Sequence, residues 1–184
     1  NQAESERERA HRVIARKAAA EGIVLLENNG VLPLKKGSNV ALYGGGARHT
    51  IKGGTGSGSV NNRSNVSIDE GLRNAGFTVT TGTWLDAYDA AYGQSYKKWK
   101  DYIYEISEPG NFDSLYRVHA SHPMQMPKGS AITKTEAADA IYVISRISGE
   151  GADRKAEPGD YYLSEQEEEE LKAITECYDN TIVI

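Results

Sequence analysis

The sequence predicts an α/β domain with a largely parallel sheet flanked by helices, and three observations carry that prediction. Ala140-Ile141-Tyr142-Val143-Ile144-Ser145 is a nearly continuous apolar run of strand length, the pattern of a strand covered on both faces. Strand-like and helix-like stretches alternate along the chain, which is the arrangement of parallel sheets with crossover helices. Thr181 to Ile184 reads as the start of a further strand, so the sheet is incomplete at the C-terminus and the chain is expected to be part of a longer protein.

The elements follow in order. Glu4 to about Glu21 is rich in Ala, Glu and Arg, strong helix formers, with Val13, Ile14 and Ala18 as an expected buried face. Ile23 to Leu26 is apolar enough to be expected inside. Asn39 to Tyr43 reads as the first sheet strand. Ser67 and Glu70 have the spacing of a capping box, which opens a short helix through Asn74, and Gly76 suits its C-terminal cap. Phe77 to Thr80 alternates as a strand does.

Trp84 to Pro127 reads as an insertion of a different kind. Tyr88, Tyr92, Tyr96, Trp99 and Ile103 recur at helical intervals, so Ala87 to Tyr104 is expected to be an amphipathic helix with an aromatic stripe. Such a stripe packs on the domain; a sugar platform is the alternative use of the same rings. Glu108 to Pro127 is expected to be a loop or interface segment, and His119, His122 and Met124 within it match no metal template. Thr133 to Asp139 is expected to be a short helix or turn. Ser164 and Glu167 form another capping box, and the glutamates from Glu165 to Glu170 suit a solvated helix start. Leu171, Ile174 and Cys177 or Tyr178 supply that helix's buried face.

Composition narrows the function classes. The chain has 184 residues, enough for one domain with a sizeable core. A net charge of −5 and the lack of a basic stripe argue against nucleic acid. Cys177 is the single cysteine, so no intrachain disulfide forms, and it is expected to act as a small apolar residue. No apolar run has the length of a membrane span and the start is too charged for a signal peptide, so the expectation leans toward the cytoplasm with no membrane partner. A homo-oligomer is compatible with this composition. No cofactor or metal is expected.

Two loops carry the chemistry. Gly53-Gly54-Thr55-Gly56-Ser57-Gly58 is glycine-rich, but no Lys follows the glycines as in a phosphate-binding loop. Gly44-Gly45-Gly46-Ala47-Arg48-His49 likewise lacks the third glycine of a dinucleotide fingerprint, so a nucleotide site is disfavoured. Arg48 and His49 lie close by in sequence, either reaching a cleft or anchoring a loop. In Ser148-Gly149-Glu150-Gly151-Ala152-Asp153-Arg154, a strand runs out into small residues with one carboxylate between two glycines. That pattern presents an acid where a ligand can come close. It also suits an acidic loop whose Asp153 and Arg154 pair to hold a turn.

Taken together, Ala18 to Asn28, Val31-Leu32-Pro33-Leu34, the strand-like Asn39 to Gly44, Gly53 to Asn61, the Gly149 to Arg154 motif and Asp160-Tyr161-Tyr162-Leu163-Ser164 resemble the α/β sandwich domain of glycoside hydrolase family 3. The resemblance covers about Ala10 to Ile184, apart from the 84–127 insertion. It implies a retaining β-glycosidase, most simply a β-glucosidase, acting on a β-linked oligosaccharide or glycoside. Retaining enzymes hold two carboxyl groups roughly 5–5.5 Å apart. In this family the nucleophilic aspartate sits on a separate (β/α)8 barrel of the same protein, which is absent from these residues. The resemblance places the acid/base at Glu150 and the substrate side at Arg48, His49, Gly54, Ser57, Asp153 and Arg154, with the last two also ordering the loop. It further implies that the fragment alone is inactive, and the Ala-rich opening suits a parent whose sandwich domain precedes its barrel. A non-catalytic carbohydrate-binding or assembly module of the same fold is the alternative.

Overall fold

The most apolar strands lie side by side at the centre of a four-stranded sheet. A computed structural model describes residues 3–54, 58, 60–148 and 154–184 and forms β1 (Asn39–Tyr43), β2 (Thr78–Val79), β3 (Asp139–Tyr142) and β4 (Asn180–Val183). All pairs are parallel and the order is β2-β1-β3-β4. In register, Val40 to Tyr43 of β1 lie beside Asp139 to Tyr142 of β3. Val40, Ala41, Leu42 and Ala140 are each 0% exposed, as the near-continuous apolar pattern requires of strands covered on both faces.

The chain divides into two units, Asn1–Leu34 and Lys35–Ile184. The first holds α1 (Glu6–Gly22), opened by a capping box between Ser5 and Glu8. After it, Asn28 closes a turn: its Oδ1 accepts from the amides of Gly30 and Leu32, both at 3.1 Å, and its Nδ2 donates to the Leu32 carbonyl. The expected buried faces do not form in this unit. Val13 and Ile14 are exposed, and so are Ile23, Val24, Leu25 and Leu26, because one helix and an extended segment offer no second layer to bury against.

In the second unit, α2 (Ile68–Asn74) links β1 to β2, and its box between Ser67 and Glu70 forms as the spacing predicts. Gly76, at φ 91°, follows the Ala75 cap. The strand expected over Phe77–Thr80 is reduced to Thr78–Val79 because Thr81 takes over the pairing with its side chain. The Thr81 hydroxyl accepts from the Leu42 amide at 2.9 Å and donates to the Leu42 carbonyl at 2.7 Å. Its backbone is thereby free to turn into α3 (Gly82–Ile106).

The aromatic stripe of α3 packs largely on itself and on the sheet. Trp84 stands edge-on to Tyr43 at 5.1 Å and stacks on Tyr88 at 5.2 Å, with Leu85 also buried. Farther along, Tyr96 stacks on Tyr92 and contacts Trp99. The loop expected over 108–127 contains a helix instead, α4 (Phe112–Ser121), whose Asn111 side chain caps the Ser114 amide. His119 on α4 meets the edge of Trp99, and Trp99 Nε1 donates to the His122 carbonyl at 2.6 Å.

Residues 133–138 form no helix; they lead into β3 as irregular backbone with bends at 136 and 138, held by Tyr178. The Tyr178 hydroxyl donates to the Thr133 carbonyl, accepts from the Thr135 amide, and lies 2.7 Å from the Tyr43 hydroxyl. Across the sheet, α5 (Glu165–Cys177) begins with the expected Ser164–Glu167 box and buries Ile174, while Leu171 and Cys177 are half-buried. Its acidic run is only partly solvated. Glu170 is buried, accepting from the Tyr142 hydroxyl at 2.8 Å, the Gly129 amide at 3.2 Å and Gln166 Nε2 at 3.0 Å. A buried carboxylate needs such partners. No helix among the described residues is long and apolar enough to cross a membrane.

The end of β1 depends on Gly44. Its φ is +91°, and a Cβ there would overlap the Val143 carbonyl at the end of β3. Gly44→Ala is therefore expected to cost more than about 2 kcal/mol in urea unfolding. Gly82→Ala, at an open position in the first turn of α3, is the control and is expected to be neutral or stabilising by up to about 1 kcal/mol.

Candidate functional site

The strand order reverses direction between β1 and β3: the chain leaves β1 to add β2 on one side, then returns to add β3 on the other. In open parallel sheets such a switch point opens a crevice at the carboxyl ends of the two strands. Two segments leave these strands there. One is residues 44–60 after β1, with the glycine-rich loop. The other is residues 143–154 after β3, which includes the Glu150 motif. A hollow of about 190 Å³ sits at this end, lined by Gly46, Thr50, Val143, Ile144, Arg146 and Ile184 among others.

The first segment is fastened on both sides. Gly46 donates its amide to the Val143 carbonyl at 3.1 Å, which ties it to β3. The Ala47 carbonyl accepts from the Asp69 amide, and the Thr50 hydroxyl accepts from the Ile68 amide while donating to the Gly46 carbonyl. These bonds hold the turn against the start of α2. A larger open cleft of about 540 Å³ adjoins it, lined by Arg48, His49, Thr50, Asn65, Ser67 and Glu70 among others.

Arg48 is the hub of this cleft. Its Nε donates to Asp69 at 2.8 Å, and its Nη1 donates to Asp86 at 2.7 Å and Asp89 at 2.8 Å. Burial works against its charge, but the carboxylates of Asp86, Asp89 and Asp69 outweigh burial and hold its pKa above the ordinary arginine value. Asp69 is itself buried and is shared with Arg73 at 2.7 Å. His49 lies 2.9 Å from Asp89 through Nε2, and its ring stacks on Tyr92 at 3.7 Å. Sequence reasoning named Arg48 and His49 but missed their three aspartates. Asp86 and Asp89 stand three apart on α3, which puts both on one helix face; only the fold brings that face to Arg48.

The other named residues separate into two groups. Gly54 is half-buried in the glycine-rich loop. Ser57, Glu150 and Asp153 lie outside the described residues. Arg154 is described, and its Nη1 donates to Asp160 at 2.6 Å rather than joining the carboxylates around Arg48. No group of three or more histidine, cysteine, aspartate or glutamate side chains among the described residues is placed to hold a metal ion.

A second ion-paired centre, unforeseen in the sequence, lies where the Glu150 segment leaves and returns. Arg146 grips Glu167 with two nitrogens, at 2.6 and 2.5 Å, and its Nε donates to the Asp160 carbonyl at 2.8 Å. The Asp160 carboxylate accepts from Arg154 and from the Lys155 amide at 2.7 Å. These two bonds hold the Asp160 pKa below the ordinary carboxylate range, the Lys155 amide contributing most. For Glu167, burial raises the pKa, but Arg146 and the Ser164 amide together outweigh it and the net direction is down.

The profile described as the glycosyl hydrolase family 3 C-terminal domain matches residues 23–184. The chain belongs to that family. Beta-glucosidase A of Butyrivibrio fibrisolvens is 29% identical over 197 residues, which cover 95% of this chain and 22% of that protein. A beta-glucosidase of Ruminococcus albus is 31% identical over 169 residues, covering 90% of this chain and 16% of that one. The family 3 chain thus spans about a fifth of the length of these curated relatives. Among solved structures, beta-glucosidase 3B from Thermotoga neapolitana in complex with glucose superposes with a TM-score of 0.65 at 33% identity, over 95% of this chain and 24% of that one. The parallel four-stranded sheet with flanking helices is the fold of that neighbour's matching region.

The Glu167 pair sets an expected pH dependence of folding. A carboxyl whose folded pKa is depressed stabilises the fold fully above its ordinary value of 4.5 and loses that contribution as pH falls through the lower folded value. Urea midpoints at neutral pH and near pH 3 are expected to show acid destabilisation of the wild-type chain. Arg146→Met is expected to lower the neutral-pH midpoint and to lose less stability over the same interval.

Proposed function

We propose that this domain supplies the general acid/base of a retaining β-glucosidase whose nucleophile stands on a (β/α)8 barrel elsewhere in the same protein. The observation that carries this reading is the switch point. Both loops bearing the motifs leave adjacent strands at the same end of the sheet, where α/β folds take their ligands. The names of the relatives, beta-glucosidases in each case, supply the reaction class.

In the first step the barrel aspartate attacks the anomeric carbon of a terminal β-linked glucosyl unit, and Glu150 gives its proton to the departing oxygen. In the second step Glu150, now a carboxylate, takes a proton from water as that water displaces the aspartate and releases the sugar with retained configuration. Burial beside the nucleophile's carboxylate in the assembled cleft would raise the Glu150 pKa and keep it protonated for the first step.

Arg48 and His49 flank the proposed substrate side together with the Gly54 to Ser57 loop, while Asp153 and Arg154 order the acid/base segment. Arg48 commits Nε and Nη1 to aspartates, which fix its guanidinium beside the cleft. Residues 84–127, with α3 and α4, are an insertion beside this cleft.

Half of a carboxylate pair does not hydrolyse a glycoside, so the purified 184-residue chain is expected to show no turnover of an aryl β-glucoside above background. In the full-length parent, Glu150→Ala is expected to form the glycosyl-enzyme from an aryl β-glucoside with a good leaving group and stall at its hydrolysis. Azide is expected to accelerate turnover and yield a β-glucosyl azide. A variant that turns over like wild type removes Glu150 from the chemistry. A wild-type parent that binds glycans without cleaving them makes the domain part of a binding module.

A further inference from the structure

The segment that carries Glu150 enters and leaves through one ion-paired knot. Arg146 precedes it, four residues from Glu150 in the sequence, and Arg154 follows it at the same separation. Both arginines converge on Asp160: Arg146 Nε on its carbonyl at 2.8 Å, and Arg154 Nη1 on its carboxylate at 2.6 Å. Asp160 sits in a tight loop that bonds to itself. The Gly159 amide donates to the Tyr162 carbonyl at 3.0 Å, the Tyr162 and Asp160 amides both donate to the Glu157 carbonyl at 3.2 Å, and Gly159 takes φ +83°.

The knot is also bolted to the rigid part of the fold. Arg146 holds Glu167 through a two-nitrogen fork, and Glu167 is the third residue of α5, where its carboxylate closes the capping box with the Ser164 amide at 2.8 Å. The fork geometry is specific to a guanidinium, and a lysine cannot reproduce it. The side chains of Arg146 and Glu167 are 22% and 15% exposed, so this pair is better shielded from solvent than the chain's peripheral ion pairs. An exposed pair contributes little and orients less.

We propose that Arg146, Glu167 and Asp160 are positioning residues for the acid/base. They fix both ends of the Glu150 segment to the start of α5, so that its carboxyl meets the leaving-group oxygen. This rests on Glu150 being the acid/base. A displacement of about 1 Å at a reacting group can cost on the order of 100-fold in rate, so a knot at the two ends of the segment can control the chemistry.

The test uses the full-length parent and compares kcat/KM for two glucosides in one enzyme preparation: a dinitrophenyl glucoside, whose leaving group departs without a proton, and an alkyl glucoside, whose leaving group needs one. Taking the ratio cancels any loss of folded enzyme. Glu167→Gln retains a side chain that can close the capping box but removes the ion pair. Asp160→Ala cuts the Arg154 arm.

Both variants are expected to lose about 10- to 100-fold on the alkyl glucoside and less than about 3-fold on the dinitrophenyl glucoside, with Arg146→Lys behaving as they do. Equal losses on the two substrates, or none, overturn the positioning role. Glu150→Ala serves as the reference. If it shows the split and the knot variants do not, positioning fails alone. If Glu150→Ala shows no split, the acid/base assignment itself has failed and the proposal falls with it.

Discussion

The parallel pairing of β1 with β3 is the constraint on which the other features depend. Val40 to Tyr43 against Asp139 to Tyr142 puts the least solvent-exposed strands at the centre of the sheet. Neither strand tolerates a shift, because a one-residue slip would turn every side chain to the opposite face. With that pair in place, β2 and β4 have only the outer edges to occupy, and the reversal of strand order falls between β1 and β3. The crevice at their carboxyl ends is therefore a product of core packing. Gly44, which lets β1 turn away beside the Val143 carbonyl, is where core and crevice meet.

Polar groups buried around this core set the places of the flanking segments. Thr81 replaces a strand residue with its hydroxyl and so releases the chain into α3. Tyr178 and Tyr43 hold the lead into β3. Glu170 gathers α5, β3 and the segment around Gly129 onto one carboxylate. Each such group would cost about 1–3 kcal/mol if left unpaired in the interior, which makes the arrangement of these segments hard to exchange for another.

Two arginine centres of the same design stand at the two sides of the crevice. Arg48 ties the segment after β1 to α2 and α3 through Asp69, Asp86 and Asp89, and Arg146 ties the segment after β3 to α5 through Glu167. Loops at the rim of such a crevice have little core of their own. Charge-assisted hydrogen bonds to neighbouring helices give them a defined position without burying them.

The sequence by itself determined the strands, the capping boxes and the α/β class, because these are local. Apolar runs, Ser-x-x-Glu spacing and a glycine after a helix act within a few residues. The same local logic named Glu150, Arg48 and His49 as the residues to watch. It failed wherever the outcome depended on a distant partner. Ile23 to Leu26 read as buried but find no second layer in their unit, and 133–139 read as a short helix or turn but form no helix and answer to Tyr178. Residues 112–121 read as loop but are capped into a helix that packs on Trp99. Glu170 read as solvated but lies beneath Tyr142. Only the tertiary structure decided which carboxylates face Arg48 and Arg146. Those partners sit 21 to 41 residues away in the chain, and electrostatic attraction between side chains carries no signal in local spacing until the sheet brings them together.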